Sequence, residues 1–208
     1  MTPAGKPTVS VRLLIATTNP GKLREVRAML EGLLVQVVTL DDFPSLPVPI
    51  EDQETFEANA RLKALHYARL TDCLTLADDS GLEVDALGGA PGVHSARYAG
   101  GACDTAANNA KLVAALSGVE PQRRTARFRC AMALARGDRI LATAAGKIEG
   151  VIVDEPRGHN GFGYDPHFLV PDCGLTAAEM PSEQKNRISH RGRALQAIRP
   201  AIEQIVLG

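Results

Sequence analysis

Five stretches of this chain hold side chains whose types and spacing could bind and activate a small anionic substrate. Thr17-Thr18-Asn19-Pro20-Gly21-Lys22 stands between an apolar run and a helical pattern. Backbone N–H groups at a helix start attract phosphate, and Lys22 adds a full positive charge there. The spacing is not that of a Walker A loop, and a solvated lysine after a turn is the plain alternative. Asp78-Asp79-Ser80-Gly81 closes a second apolar run, the place where open α/β sheets put their ligands. Side chains alternate on an extended backbone, so one of the two carboxylates faces a cleft and the other does not. An ordinary Asp-Ser-Gly turn is the alternative. A lone aspartate makes a poor Mg²⁺ site, and Glu51-Asp52-Gln53-Glu54 offers a second carboxylate, with Lys63 in the helix that follows. Acidic residues ahead of a helix also serve its dipole. Lys185 to Arg193 (KNRISHRGR) crowds cations and His190 at an expected helix start, where the dipole disfavours them unless an anion or a carbonyl-rich ligand offsets the penalty. The alternative is a solvated basic face. Finally, GHNGFGYDPHF at 158–168 gathers rings in a chain with 4% aromatics and no Trp. It is either a surface loop or a pocket wall.

The elements that must position these residues alternate. Val11–Thr17 and Leu34–Leu40 are short apolar runs, read as strands, and Leu23, Val26, Leu30 and Leu33 between them recur at helical spacing. Lys22, Arg24, Glu25 and Arg27 mostly face outward in that pattern. Asp41–Ile50 holds three prolines and must be a loop. A second helix runs from about Thr55 to Leu70, and a third strand covers Cys73–Ala77, ending at Asp78. Gly88–Gly101 reads as a glycine-rich loop. Asp104–Leu116 reads as a helix with Asp104 as its N-cap and Gly118 as its stop. Arg127–Leu134 alternates, with Phe128, Cys130, Met132 and Leu134 on one face and Arg127 and Arg129 on the other. Ile140–Ile148 pairs with it through Arg136-Gly137-Asp138. The tail from Ser189 is helical, with Pro200 as a kink. The pattern predicts an α/β fold with a mixed sheet, the later hairpin extending it into a second lobe and a ligand cleft lying between the two.

Bulk properties narrow the partners. The 208 residues fit a flexible start over 1–10 and one domain over 11–208, with a smaller lobe around 120–170. Lys and Arg total 23 against 24 Asp and Glu, so a long polyanion such as nucleic acid finds no basic face to bind. The four cysteines, Cys73, Cys103, Cys130 and Cys173, form no CxxC pair, and reduced, mostly buried thiols are expected. Neither a signal-peptide core nor a run long enough to span a bilayer is present, so the expectation is a cytoplasmic protein with no membrane partner.

Taken together and in order, TTNPGK (17–22), ETFEANARLKA (54–64), LADDSGLEVDALGGAPGVHSARYAG (76–100), NNAKLVAAL (108–116), PRGHNGFGYDPHF (156–168) and EMPSEQKNRISHRGRAL (179–195) resemble the RdgB-type inosine/xanthosine triphosphate pyrophosphatase family. The resemblance spans nearly the whole chain beyond residue 10. It implies a homodimeric, Mg²⁺-dependent enzyme, an elongated mixed sheet flanked by helices with two lobes around a nucleotide-binding cleft, that hydrolyses deaminated purine nucleoside triphosphates (ITP, dITP, XTP) to the monophosphate and pyrophosphate. The nearest rivals are a related pyrophosphatase acting on other modified nucleotides and a silent nucleotide-binding module.

Residue by residue, the resemblance makes Asp79 the general base and a magnesium ligand, with Glu51 the second metal carboxylate. Thr17, Thr18, Asn19, Lys22, Lys63 and Ser80 become triphosphate ligands. Phe162 becomes the ring that stacks on the purine, with Gly163, Tyr164 and Asp165 lining the same pocket, and Lys185, Ser189, His190 and Arg191 face the base. Two departures stand out. Thr18 replaces the family's usual glycine, which would strain the loop if that position needed a positive φ. Glu51-Asp52-Gln53 replaces the usual Glu-Thr-Gly, so the placement of Glu51 rests on Thr55, Phe56 and Lys63 downstream.

Overall fold

The computed structural model describes residues 11–101 and 103–207; the expected flexible start at 1–10 lies outside them. Strand β1 (Val11–Ile15) leads into helix α1 (Pro20–Met29), and β2 (Val35–Thr39) returns parallel to β1, the helix serving as the crossover that parallel strands need. The proline-rich stretch after β2 runs as a loop to α2 (Phe56–Thr71), capped by Thr55, whose hydroxyl accepts from Ala58 N. Then come β3 (Leu74–Val84), α3 (Thr105–Ala115), the long hairpin β4 (Thr125–Arg136) and β5 (Arg139–Ile152), the short β6 (Phe168–Val170) and β7 (Leu175–Thr176), and helices α4 (Ser182–Ile188) and α5 (His190–Leu207). The sheet order is β2-β1-β3-β4-β5-β6-β7, parallel from β2 to β3 and antiparallel beyond. A mixed open sheet flanked by helices is the expected class.

Both sheet faces are buried. Leu13, Ile15, Cys130, Met132 and Leu134 pack under α5 through Ile198 and Ile202. Leu14, Ala16, Ala131, Ala133 and Ala135 pack under α2 through Phe56, Ala60, Ala64 and Tyr67. The small alanines on β4 let α2 approach closely, so the face expected to carry only Arg127 and Arg129 turns apolar in its second half. At the far end Leu82, Val84, Phe128, Ile148 and Phe168 form a third cluster with Leu112 of α3 and Leu116 at its C-cap. Asp104 caps α3 through Ala106 N and Ala107 N, and Gly118 takes the positive φ (81°) of the stop.

Two expectations change. Strand β3 does not end at Asp78 but runs on to Val84, because β4 pairs it throughout, Asp79 opposite Ala131 and Ser80 opposite Cys130. What ends is its parallel neighbour: β1 pairs β3 only as far as Leu76, and Ala16 N makes the last bond, to Leu76 O. Asp79 therefore sits just beyond the carboxyl end of the parallel part, where one edge of β3 is released. Helix α5 holds Pro200 within its span. Second, buried thiols hold only for Cys73 and Cys130; Cys173 is partly exposed and Cys103 exposed, all four unpaired. Among the described residues no helix is long and apolar enough to cross a membrane.

Candidate active site

Where β1 stops, α1, β3, α2, the Gly92–Arg97 turn and the 161–165 loop surround one large open cavity. At its floor the two adjacent aspartates separate. Asp78 turns under α1 and α5, where its Oδ2 lies 3.1 Å from Lys22 Nζ and 3.4 Å from Arg191 Nη2. Burial disfavours its charge, but Lys22, Arg191 and Lys63 outweigh that and hold its carboxyl far below the usual range. Asp79 turns to the cavity. Its Oδ1 accepts from Ser80 N at 3.0 Å, while Oδ2 is buried with no partner. Burial raises its pKa, and although Lys22 and Lys63 pull it down, Asp78 and Glu51 push the same way as burial.

Lys63 projects from α2 to Glu51, 2.6 Å from its carboxylate, and donates to Asp78 O at 3.1 Å. Its pKa is raised despite burial, first by Glu51. Asn59, one turn earlier, accepts from Gln53 N at 3.1 Å and donates to Gln53 O, which fixes the segment that presents Glu51. On the opposite wall Asn19 caps α1, its Oδ1 accepting from Gly21 N (2.9 Å) and Lys22 N (3.1 Å), and its own N–H bonds Thr17 Oγ1. Two of the helix's first N–H groups are thus already used, so an anion here meets side chains more than backbone.

The ring-rich stretch forms the other end. Asp165 accepts from Phe162 N (2.7 Å) and from Lys185 Nζ (2.6 Å), and Lys185 also reaches Glu25 at 2.7 Å. The Phe162 ring lies against Gly21, where an added Cβ would come within 2.3 Å of it, and Lys185 and Arg191 stand 5.1 and 5.6 Å from its centroid. Asn109 of α3 donates to Gly163 O at 3.0 Å, and Tyr164 Oη donates to Ser95 O at 2.8 Å. His190 is buried and stacked on Phe128 (4.9 Å, 18°), with Nδ1 unpartnered. Burial, then Arg191 and Lys185, hold it far below its ordinary pKa, so it is neutral at pH 7.

A family model described as the Ham1 family matches residues 13–201. The chain belongs to the Ham1 family. It is 52% identical over 188 residues to a dITP/XTP pyrophosphatase of Geobacter sulfurreducens, covering 90% of this chain and 94% of that one. It is 48% identical over 195 residues to one of Listeria monocytogenes, covering 94% and 96%. Among solved structures, a HAM1 protein from Coxiella burnetii matches with a TM-score of 0.84 and 40% identity, over 93% of this chain and 99% of that one.

In this Ham1 chain the cavity brings together Thr17, Thr18, Asn19, Lys22, Glu51, Lys63, Asp79, Ser80, Phe162, Gly163, Tyr164, Asp165, Lys185, His190 and Arg191. Ser189 is not among its walls: it is buried, and its hydroxyl accepts from Gly192 N at 3.1 Å, which secures the first turn of α5. Thr18 carries no strain, since the non-glycine residues of positive φ among those described are Asp72 and Cys103. Only part of the basic run crowds a helix start: His190, Arg191 and Arg193 open α5. Lys185 and Arg187 end α4, where the dipole welcomes them, and Arg191, at the head of α5, is buried against Glu25, Asp78 and Ser80. Glu25, expected to face outward, is the carboxylate that joins Lys185 to Arg191. Its pKa is lowered: burial opposes this, and the two cations prevail. The signal was its place three residues after Lys22, on the same side of a helix.

Proposed function

We propose that this chain hydrolyses deaminated purine nucleoside triphosphates, dITP, ITP and XTP, releasing the monophosphate and pyrophosphate. The observation that carries the reading is Asp79: a buried carboxylate of raised pKa, with one oxygen free, between lysines at one end of a cavity and a ring held over a glycine at the other. That is a base next to a phosphate end, opposite a base-holding end.

Asp79 takes the proton of a water attacking the α-phosphorus. Its raised pKa brings it nearer to the working range of a general base. Lys63 and Lys22 stand beside it and offset charge that develops on the phosphoryl oxygens. The residues fit Mg²⁺. Asp79 Oδ2 is a buried hard oxygen without a partner, and Glu51 lies in the same cavity. Magnesium is usually held by one or two carboxylates plus substrate oxygens. Bound there by Asp79 and Glu51, it would supply charge neutralisation and orientation of the triphosphate.

At the other end Phe162 stacks on the purine and Lys185 keeps Asp165 in place. Neutral His190 presents a ring nitrogen that needs a partner, and as an N–H it pairs with a 6-carbonyl but clashes with the 6-amino group of adenine. Unpaired buried polar groups make such discrimination large. The same reading carries a homodimer working on the cytoplasmic nucleotide pool, and sedimentation giving a monomer mass at micromolar concentration would overturn the dimer.

Product release with ITP, XTP, dUTP and ATP, with and without Mg²⁺, tests the function. Pyrophosphate, not orthophosphate, should appear from ITP and XTP, with ATP and dUTP slower by orders of magnitude. Orthophosphate as the product, or equal rates on ATP, sinks the proposal.

A further inference from the structure

The cations inside the cavity already have partners. Lys22, Lys63, Lys185 and Arg191 pair with Asp78, Glu51, Asp165 and Glu25, and Asp79 adds a fifth carboxylate. Four cations against five carboxylates leave no excess positive charge for a polyphosphate. A divalent ion at Asp79 offsets part of a triphosphate's charge, and the rest must come from elsewhere on the wall. Two more cations line the same cavity, Arg24 and Arg97, and neither forms an ion pair among the described residues.

The two arginines differ in how they are held. Arg24 makes no side-chain hydrogen bond among the described residues. Arg97 Nη2 donates to Glu51 O at 3.2 Å and meets His94 Nδ1 at 3.3 Å. A guanidinium carries five N–H donors in a rigid fork, so these contacts through one nitrogen orient it and leave the other donors free. The turn beneath it is fixed on both sides. Ser95 Oγ accepts from Leu82 N of β3 at 2.8 Å and donates to Gly92 O, while Ser95 O takes the Tyr164 hydroxyl. Gly81 makes that seat possible, because a Cβ there would lie 2.4 Å from Ser95 Oγ and 2.5 Å from Gly92 O. An exposed arginine with no anionic partner among the described residues thus stands on a platform held from both sides, tied to the residue whose carboxylate pairs with Lys63.

We propose that Arg97 binds the end of the triphosphate that departs as pyrophosphate. It acts through charge-assisted hydrogen bonds to the outer phosphates, on the side of the cavity away from the purine. The inference rests on the triphosphate reading above, and it adds a specific residue to it.

Calorimetric titration with pyrophosphate, with and without Mg²⁺, and separately with IMP, tests it on wild type, Arg97→Ala, Arg97→Gln and Arg97→Lys. Glutamine keeps an amide donor for the Glu51 carbonyl but removes the charge, so it separates anchoring from anion binding if the alanine variant folds poorly. Arg97→Ala and Arg97→Gln should weaken pyrophosphate about tenfold to a hundredfold, the range of a lost charged hydrogen bond. IMP binding should stay within twofold, and Arg97→Lys should recover part of the loss. Arg97→Gln binding pyrophosphate like wild type, pyrophosphate and IMP weakening together, or wild type failing to bind pyrophosphate would each overturn the proposal. Wild-type turnover of ITP is followed in parallel. A wild type that releases no pyrophosphate from ITP, yet binds pyrophosphate through Arg97, contradicts the proposed function and leaves the anion site standing.

Discussion

Asp78 and Asp79 are neighbours in sequence with opposite environments, and the difference can be measured. Asp78 balances the partly buried Lys22 and the fully buried Arg191. Replacing it by asparagine leaves those cations short of a partner, and breaking a buried pair from one side costs about 3–5 kcal/mol. Chemical denaturation of Asp78→Asn should show a loss of that size; less than about 1 kcal/mol would mean that the network reorganises freely. The pH dependence follows from the sign of the shift. A carboxyl held lower in the folded than in the unfolded chain contributes stability above its unfolded pKa, and that stability fades as pH falls toward its folded value. Wild type should therefore lose stability on acidification through and below the ordinary carboxylate range, and Asp78→Asn should lose less over the same interval. Asp79 is shifted the other way, so its ionisation costs stability as pH rises through its folded pKa. Without metal at pH 7, Asp79→Asn should melt higher than wild type, by about 2–4 °C if the relief is about 1 kcal/mol. Its turnover of ITP should fall by a factor of about 10² or more. A lower melting temperature, or near-normal kcat, would contradict the assignment of Asp79.

At the scale of elements, α1 does two things: its capped start presents Lys22, and its glycine seats Phe162. Gly21→Ala separates them. Alanine is the better helix former by about 1 kcal/mol, so α1 itself should not weaken. The added methyl would sit 2.3 Å from Phe162 Cδ1, however, and the ring must move. The expected result is a KM for ITP raised about tenfold with kcat within about threefold, since ring stacking is worth about 1–3 kcal/mol per base. An unchanged KM would show that Phe162 does not hold the base. Much of this element was legible in sequence, because Asn19, Pro20 and the Leu23/Val26 spacing are local signals of a helix start and its buried stripe. Less legible was the continuation of β3. Asp78-Asp79-Ser80-Gly81 has the composition of a turn, and only β4, some fifty residues later, supplies the backbone partners that keep it extended. Glu25 escaped for a similar reason: an acidic residue on a surface-type helix reads as solvated until Lys185 and Arg191, far along the chain, arrive beside it. Asn109 holds a carbonyl of the 161–165 loop and Ser95 the Leu82 N–H of β3, and no sequence pattern marks such partners.

At the scale of the whole molecule, the cavity joins two ends built by different parts of the chain. Lys63, Glu51 and Asp79 come from α2, its leading loop and β3, whereas Phe162, Asp165 and Lys185 come from the 161–165 loop and α4. Only the assembled sheet brings them together, which is why the fold class and the motif order were readable but the charge balance between the ends was not. If the ends are separate subsites, the two products should bind side by side. A ligand that binds only the folded chain stabilises it by about 2.7 kcal/mol at one hundred times its Kd, which at this length is about 5–10 °C in Tm. IMP alone and pyrophosphate with Mg²⁺ alone should each give a shift of that order. Together they should stabilise by nearly the sum of their free energies, because neither takes the other's side chains. Thermal melts across a grid of both concentrations decide the point. If saturating pyrophosphate abolishes the IMP shift, the two compete for one end, and the division of the cavity into a phosphate half and a purine half is wrong. If only the pair stabilises and neither product does so alone, the halves form together on binding, and the ion-paired walls described above cannot be what the ligand meets.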